Sequence, residues 1–128
     1  MAISIVQLGT LRQKNEGMRF GTVRRPPRGV RKTQYAKLNY YDVWLPNLSP
    51  SEELLKKKLV KEDGSGWETF AQRFSAELKQ PDKSHLLEAL AALSHITNFS
   101  IGCYCIDEKL CHRSILREEL KKRGAQIK

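Results

Sequence analysis

The chain has 128 residues, 40% of them hydrophobic and 29% charged, which suits one soluble domain and leaves little room for a second. Lys plus Arg number 23 against 14 for Asp plus Glu, a net charge of +9 that favours polyanions, phosphorylated metabolites or nucleic acid over cationic partners. No apolar run approaches the roughly 18 to 20 residues of a membrane span, and Met1 to Thr10 lacks a secretory signal's basic start and cleavage site, so a cytoplasmic protein with no membrane partner is expected.

Residues 3–8, rich in β-branched side chains and followed by Gly9, predict a short buried strand. From Gly17 to Tyr41 there is no acidic residue, and Pro26, Pro27 and Gly29 break regular structure, so Arg24 to Lys32 is expected to be a loop displaying guanidinium groups. Tyr40 to Leu45 reads as a second strand closed by Pro46 and Asn47. Ser49 to Glu52 has the form of a capping box with Pro50 at the first helical position, which predicts a helix over 50–61. Trp67, Phe70, Ala71, Phe74 and Leu78 fall at helical spacing, and Pro81 is expected to end that helix before another starts at Ser84 and runs to Thr97.

Phe99 to Cys105 is a continuous apolar run, the pattern of the central strand of a parallel sheet buried on both faces. His112 to Arg123, with Gly124 after it, reads as the last helix. Strands separated by helical segments imply α/β: a single three-layer domain over residues 1–128, with a mainly parallel sheet and flanking helices.

Chemistry concentrates between Cys103 and Ser114, at a strand-to-helix junction, where open α/β sheets gather ligands. A helix start there offers unpaired N–H groups and a positive dipole end, and Arg113 and Ser114 add a planar fork and a hydroxyl for an oxyanion. Cys111 lies beside His112 and Arg113, which favours its thiolate, the nucleophilic form. All three cysteines fall within Cys103 to Cys111, an odd number and a poor disulfide framework, so reduced thiols are expected. The spacing of Cys103, Cys105, Cys111 and His112 also permits four zinc ligands, but it lacks the paired knuckles of structural zinc modules. Small buried thiols are ranked above zinc, and no cofactor is expected.

These residues, with Arg25-Pro26-Pro27-Arg28-Gly29-Val30 and Asp42 to Ser51, resemble the domain-of-unknown-function 488 family, near its YeaO-like branch. The likeness spans nearly the whole chain, with the basic Pro-Arg-Gly-Val segment, the Trp-Leu to Pro-Ser segment, the Trp-x-x-Phe helix and the late Cys-His-Arg motif in the family's order. It implies an α/β domain with flavodoxin-like or Rossmann-like layering and no particular activity. Many members carry Glu two residues after the first Cys of the late motif, where this chain has Cys105, so no role of that carboxylate carries over; Asp107 does match an acidic position.

Two functional expectations follow. In the first, Arg113 and Ser114 hold a phosphate-like group, Arg28 and Arg31 close over it, Cys111 and His112 carry the chemistry, and Asp107 or Asp42 orients the imidazole. The structural alternative is that Cys111 is packed and Arg113 pairs with a carboxylate such as Asp42. In the second, Arg24, Arg25, Lys32 and Lys37 contact nucleic-acid phosphates while Tyr35 stacks. The first is preferred, with a small phosphorylated or nucleotide-like ligand, and its constellation suits an enzyme and a binding domain alike.

Overall fold

The apolar runs at 3–8 and 99–105 do become neighbouring strands, and every strand in the molecule points the same way. In the computed structural model, which describes residues 1–128, β1 (Ile3–Gln7), β2 (Met18–Gly21), β3 (Val43–Trp44) and β4 (Phe99–Cys103) form one parallel sheet in the order β1-β4-β2-β3. β4 is internal: Ile3 to Gln7 register on Phe99 to Cys103 along one side, and Met18 to Gly21 register on Phe99 to Gly102 along the other. Four helices, α1 (Glu52–Lys56), α2 (Trp67–Glu77), α3 (Pro81–Leu93) and α4 (His112–Lys122), flank the sheet, giving the α/β fold that the alternation of elements implied. No helix is long and apolar enough to cross a membrane.

The two faces of the sheet are covered differently. On one, Ile3, Phe99 and Ile101 share a core with Phe70, Phe74 and Leu78, with Leu87 and Leu90, and with Leu116 and Leu120, which come from α2, α3 and α4 and their ends. Because side chains alternate along a strand, the opposite face carries Ser100, Gly102, Arg19 and Gly21, and loops cover it. Small side chains there make room for a buried charge pair. Arg19, wholly shielded from solvent, donates to the Glu16 carboxylate at 2.5 and 3.2 Å and to the carbonyls of Thr10, Leu11 and Asn39; Ser100 Oγ donates to Glu16 at 2.8 Å. The pair ties the loop after β1 to the segment before β3. At Gly21 any Cβ would come within 2.3 Å of the Tyr41 ring, so glycine is what lets that ring pack on the backbone.

Local details depart from the pattern reading. The 40–45 strand shrinks to Val43–Trp44 at the sheet edge, because Tyr41 turns inward as part of the loop layer. The 50–61 helix is only Glu52–Lys56, capped by Ser51 rather than Ser49: Ser51 Oγ accepts from Leu54 N, while the Ser49 hydroxyl is spent on the Pro46 carbonyl. Lys58, at a positive φ of 46°, ends it early. Pro81 starts α3 instead of only terminating α2, since a proline at the first helical position sacrifices no hydrogen bond. Finally, β2 has too few apolar residues for a strand pattern, because its Arg19 is buried by pairing.

Replacing Arg19 by Ala leaves Glu16 as an unpaired buried carboxylate and is expected to cost about 3 to 5 kcal/mol in chemical denaturation. Burial would raise the Glu16 carboxyl, but hydrogen bonds from Arg19, Ser100 and the Gln13 N–H outweigh it and hold the group below its ordinary value. A carboxyl depressed on folding contributes stability above its unfolded value of roughly 4.3 and loses it as pH falls through the folded one. Wild type should therefore lose stability on acidification below that range, and a Glu16→Gln variant should lose less of it.

Candidate active site

Parallel alignment brings the carboxyl ends of all four strands to one edge, and the segments leaving β2 and β4 meet there. Arg24 to Arg28, following β2, form one wall of a cleft of about 520 Å³, while Cys103, Tyr104 and Cys105 from the end of β4 and His112 from the start of α4 form the other. The basic loop is fixed from behind. Arg24 donates to the carbonyls of Pro50, Pro46 and Ser49 at 3.1 to 3.3 Å, Trp44 Nε1 donates to the Val23 carbonyl at 2.7 Å, and Tyr104 Oη donates to the Arg25 carbonyl at 2.9 Å. Arg25 pairs with Glu52 at 2.8 Å, whereas Arg28 is exposed and makes no side-chain hydrogen bond within the chain. Arg28 is thus a charge presented to the cleft with nothing of the protein's own to neutralise it.

Beneath the cleft the three cysteines converge. Cys103 and Cys111 are buried, their Sγ atoms 2.7 Å apart, and Cys105 is exposed, its backbone N–H donating to Cys103 Sγ at 3.4 Å. Hydrogen bonding with Cys105 and Cys111, reinforced by burial, pushes the Cys103 thiol up, so it keeps its proton. Hydrogen bonds from Cys103 and Cys111 hold the Cys105 thiol well below the ordinary range against the opposing effect of burial, and the Arg113 charge adds to them. Cys111 is held below the ordinary range as well, chiefly by hydrogen bonding with Cys103 and then by His112, against Cys105 and burial, so Cys105 differs from it in being the exposed member of the set. His112 is positioned by β2: its Nε2–H donates to the Thr22 carbonyl at 2.6 Å, which leaves the Nδ1 lone pair facing Cys111 Sγ at 3.7 Å. The Phe74 ring meets the imidazole edge-on.

The remaining expected site residues scatter. Arg113 is buried, donates from Nη2 to the Cys105 carbonyl at 2.6 Å, leaves Nε without a partner, and forms no ion pair. The expected alternative, Arg113 on Asp42, is overturned: Asp42 accepts from Arg12 at 2.8 and 3.1 Å. Ser114 turns its hydroxyl onto the Cys111 carbonyl, and Arg31 does not line the cleft. Asp107 is exposed, accepting from Lys109 N, so the Thr22 carbonyl rather than Asp107 or Asp42 orients the imidazole. Lys32 and Tyr35 line a separate depression beside Trp44, and Lys37 is exposed. Thr22 was not legible as a site residue, because its contribution is a backbone carbonyl.

Cys103, Cys111 and His112 present three ligand atoms within 4.8 Å of one another, a group that could hold a metal ion. Tetrahedral zinc with Zn–S bonds near 2.3 Å holds two sulfurs about 3.8 Å apart. At 2.7 Å the Cys103 and Cys111 sulfurs would have to part by about 1 Å, so as placed they do not fit a shared zinc.

The chain matches the family model described as the active DUF488-N3 subclade over residues 3–124, and it belongs to that family. The match names the N3 subclade and does not bear on the YeaO-like placement. No curated protein and no solved structure matches the chain.

Burial separates the thiols experimentally. Iodoacetamide on the reduced, folded protein at neutral pH should give one adduct, at Cys105, and three adducts in denaturant. Modification of Cys111 ahead of Cys105 would contradict this arrangement.

Proposed function

We propose that this member of the DUF488-N3 family is a thiol-dependent enzyme that binds a small phosphorylated or nucleotide-like anion in the cleft and uses the Cys105 thiolate as nucleophile. The observation that carries this reading is the cleft itself, which is lined by both the unpaired Arg28 and the exposed Cys105, whose thiol is held low. Arg28 would meet the anionic group, since guanidinium matches phosphate geometry with two parallel donors. Cys105 sulfur would then form a bond to the electrophilic atom as the leaving group departs with the bonding pair. The neighbouring Cys103 and Cys111 favour the thiolate, His112 lies against Cys111 Sγ, and the Arg113 charge adds to their effect. The family description as an active subclade supports an enzyme over a binding domain.

This reading moves the nucleophile from Cys111 to Cys105 and the anion contact from Arg113 and Ser114 to Arg28. A nucleic-acid interface along Arg24, Arg25, Lys32, Lys37 and Tyr35 has less behind it: Arg24 is committed to three backbone carbonyls and Arg25 to Glu52, and Lys32 and Tyr35 line a depression apart from the cleft.

A thermal-shift panel on reduced protein tests the reading, using phosphate, sulfate, mononucleotides and a short oligonucleotide at low and moderate salt. A ligand at a hundredfold excess over its Kd stabilises the folded state by about 2.7 kcal/mol. A small phosphorylated ligand should raise Tm at moderate salt, and Arg28→Ala should remove most of the shift while leaving the unliganded Tm unchanged. A shift from the oligonucleotide alone, lost on adding salt, would favour the nucleic-acid interface instead.

A further inference from the structure

The proposed reaction uses one sulfur of three. Cys103 and Cys111 lie side by side at the end of β4 and the start of α4, buried and 2.7 Å apart, closer to a bond than to the spacing two zinc-bound thiolates require. Closing them to a disulfide of about 2.05 Å takes a movement of roughly 0.7 Å. They are reached from solvent through Cys105, two residues beyond Cys103 and exposed at the cleft, with its backbone N–H already on Cys103 Sγ.

We propose that Cys103 and Cys111 form a reversible disulfide that is charged through Cys105 by a hydroperoxide. In the first step the Cys105 thiolate attacks one peroxide oxygen; the S–O bond forms, the O–O bond breaks, and the alcohol or water leaves after taking a proton from solvent. Cys105 is now a sulfenic acid. The Cys111 sulfur then attacks Cys105, forming an S–S bond as hydroxide departs and leaves as water with the thiol's proton. Finally Cys103 attacks the Cys111 sulfur and expels Cys105 as thiolate, its own proton passing to solvent. The sum is one hydroperoxide reduced and two thiols oxidised, giving one alcohol or water, one further water and one disulfide. A dithiol or two small thiols reverse it by exchange.

The order of events follows from exposure. Oxidation selects accessible thiolates, so the peroxide is met by Cys105, and a neighbouring thiol that resolves the sulfenic acid keeps it from the irreversible sulfinic state. The exchange returns Cys105 as a free thiol beside the new disulfide. The inference rests on the reading of Cys105 as the reactive thiolate and not on which anion the cleft binds.

The test treats reduced full-length protein with one equivalent of hydrogen peroxide, blocks free thiols with N-ethylmaleimide, and maps peptides without reduction. The expected product has a Cys103–Cys111 disulfide and an alkylated Cys105, and dithiothreitol restores three free thiols. Cys105→Ser should slow disulfide formation by about tenfold or more, and Cys111→Ser should let Cys105 proceed to sulfinic acid or stop in a bond to Cys103. Two results would overturn the proposal: Cys105 reaching sulfinic acid in wild type with both buried cysteines still reduced, or the disulfide forming as fast in Cys105→Ser as in wild type. Purified protein that carries stoichiometric zinc and oxidises only after chelation would overturn it as well. The phosphate-induced thermal shift of the same reduced samples reads the anion site separately, so its absence would count against the enzyme reading while leaving the disulfide result standing.

Discussion

Arg113 is a cation placed inside the protein with no carboxylate to pair with, and the organisation of the site follows from how that charge is met. Its guanidinium gives one hydrogen bond to the Cys105 carbonyl and leaves Nε unpartnered, while the nearby Glu108 is already engaged by Arg117 through two bonds of 2.6 and 2.9 Å. A buried charge left uncompensated is expensive. This charge favours the Cys105 thiolate, adding to the larger influence of its neighbours Cys103 and Cys111. Arg113 thus favours the charged form of Cys105, and its hydrogen bond to the Cys105 carbonyl fixes the turn that carries that thiol.

The sheet makes this geometry available. With every strand parallel, the ends of β2 and β4 open on the same edge, and their neighbouring register, Gly21 beside Gly102, brings the Thr22 carbonyl under the imidazole of His112. The loop that follows β2 lines the cleft at the strand ends, where Arg24 is anchored on three carbonyls and Arg28 is left free. A charge pair on the far face, Arg19 with Glu16, secures the loops that cover the side of the sheet without helices. The two buried arginines have different parts: Arg19 is fully satisfied and structural, and Arg113 is incompletely satisfied and electrostatic.

Much of this was legible in the residues. The unbroken apolar run at Phe99 to Cys103 marks the internal strand, helical spacing marks α2, α3 and α4, and the cluster of Cys, His and Arg near residue 111 falls at the strand-to-helix junction that lines the cleft. Other features were hidden for physical reasons. Cys105 and Cys111 look alike in sequence, and only the end of β4 pairing at Cys103 turns one outward while the start of α4 turns the other in. Arg19 reads as a surface charge until Glu16 and Ser100 are brought against it. The basic loop reads as an open array of cations, because hydrogen bonds to backbone carbonyls carry no signature in the chain.

The central claim is that Arg113 stabilises an accessible Cys105 thiolate, and the pH dependence of Cys105 alkylation measures that directly. In wild type the rate should remain high well into mild acid, with a midpoint far below the roughly 8.5 of an ordinary cysteine, and in Arg113→Gln the midpoint should move upward. A midpoint near the ordinary value, unchanged by Arg113→Gln, would contradict the account.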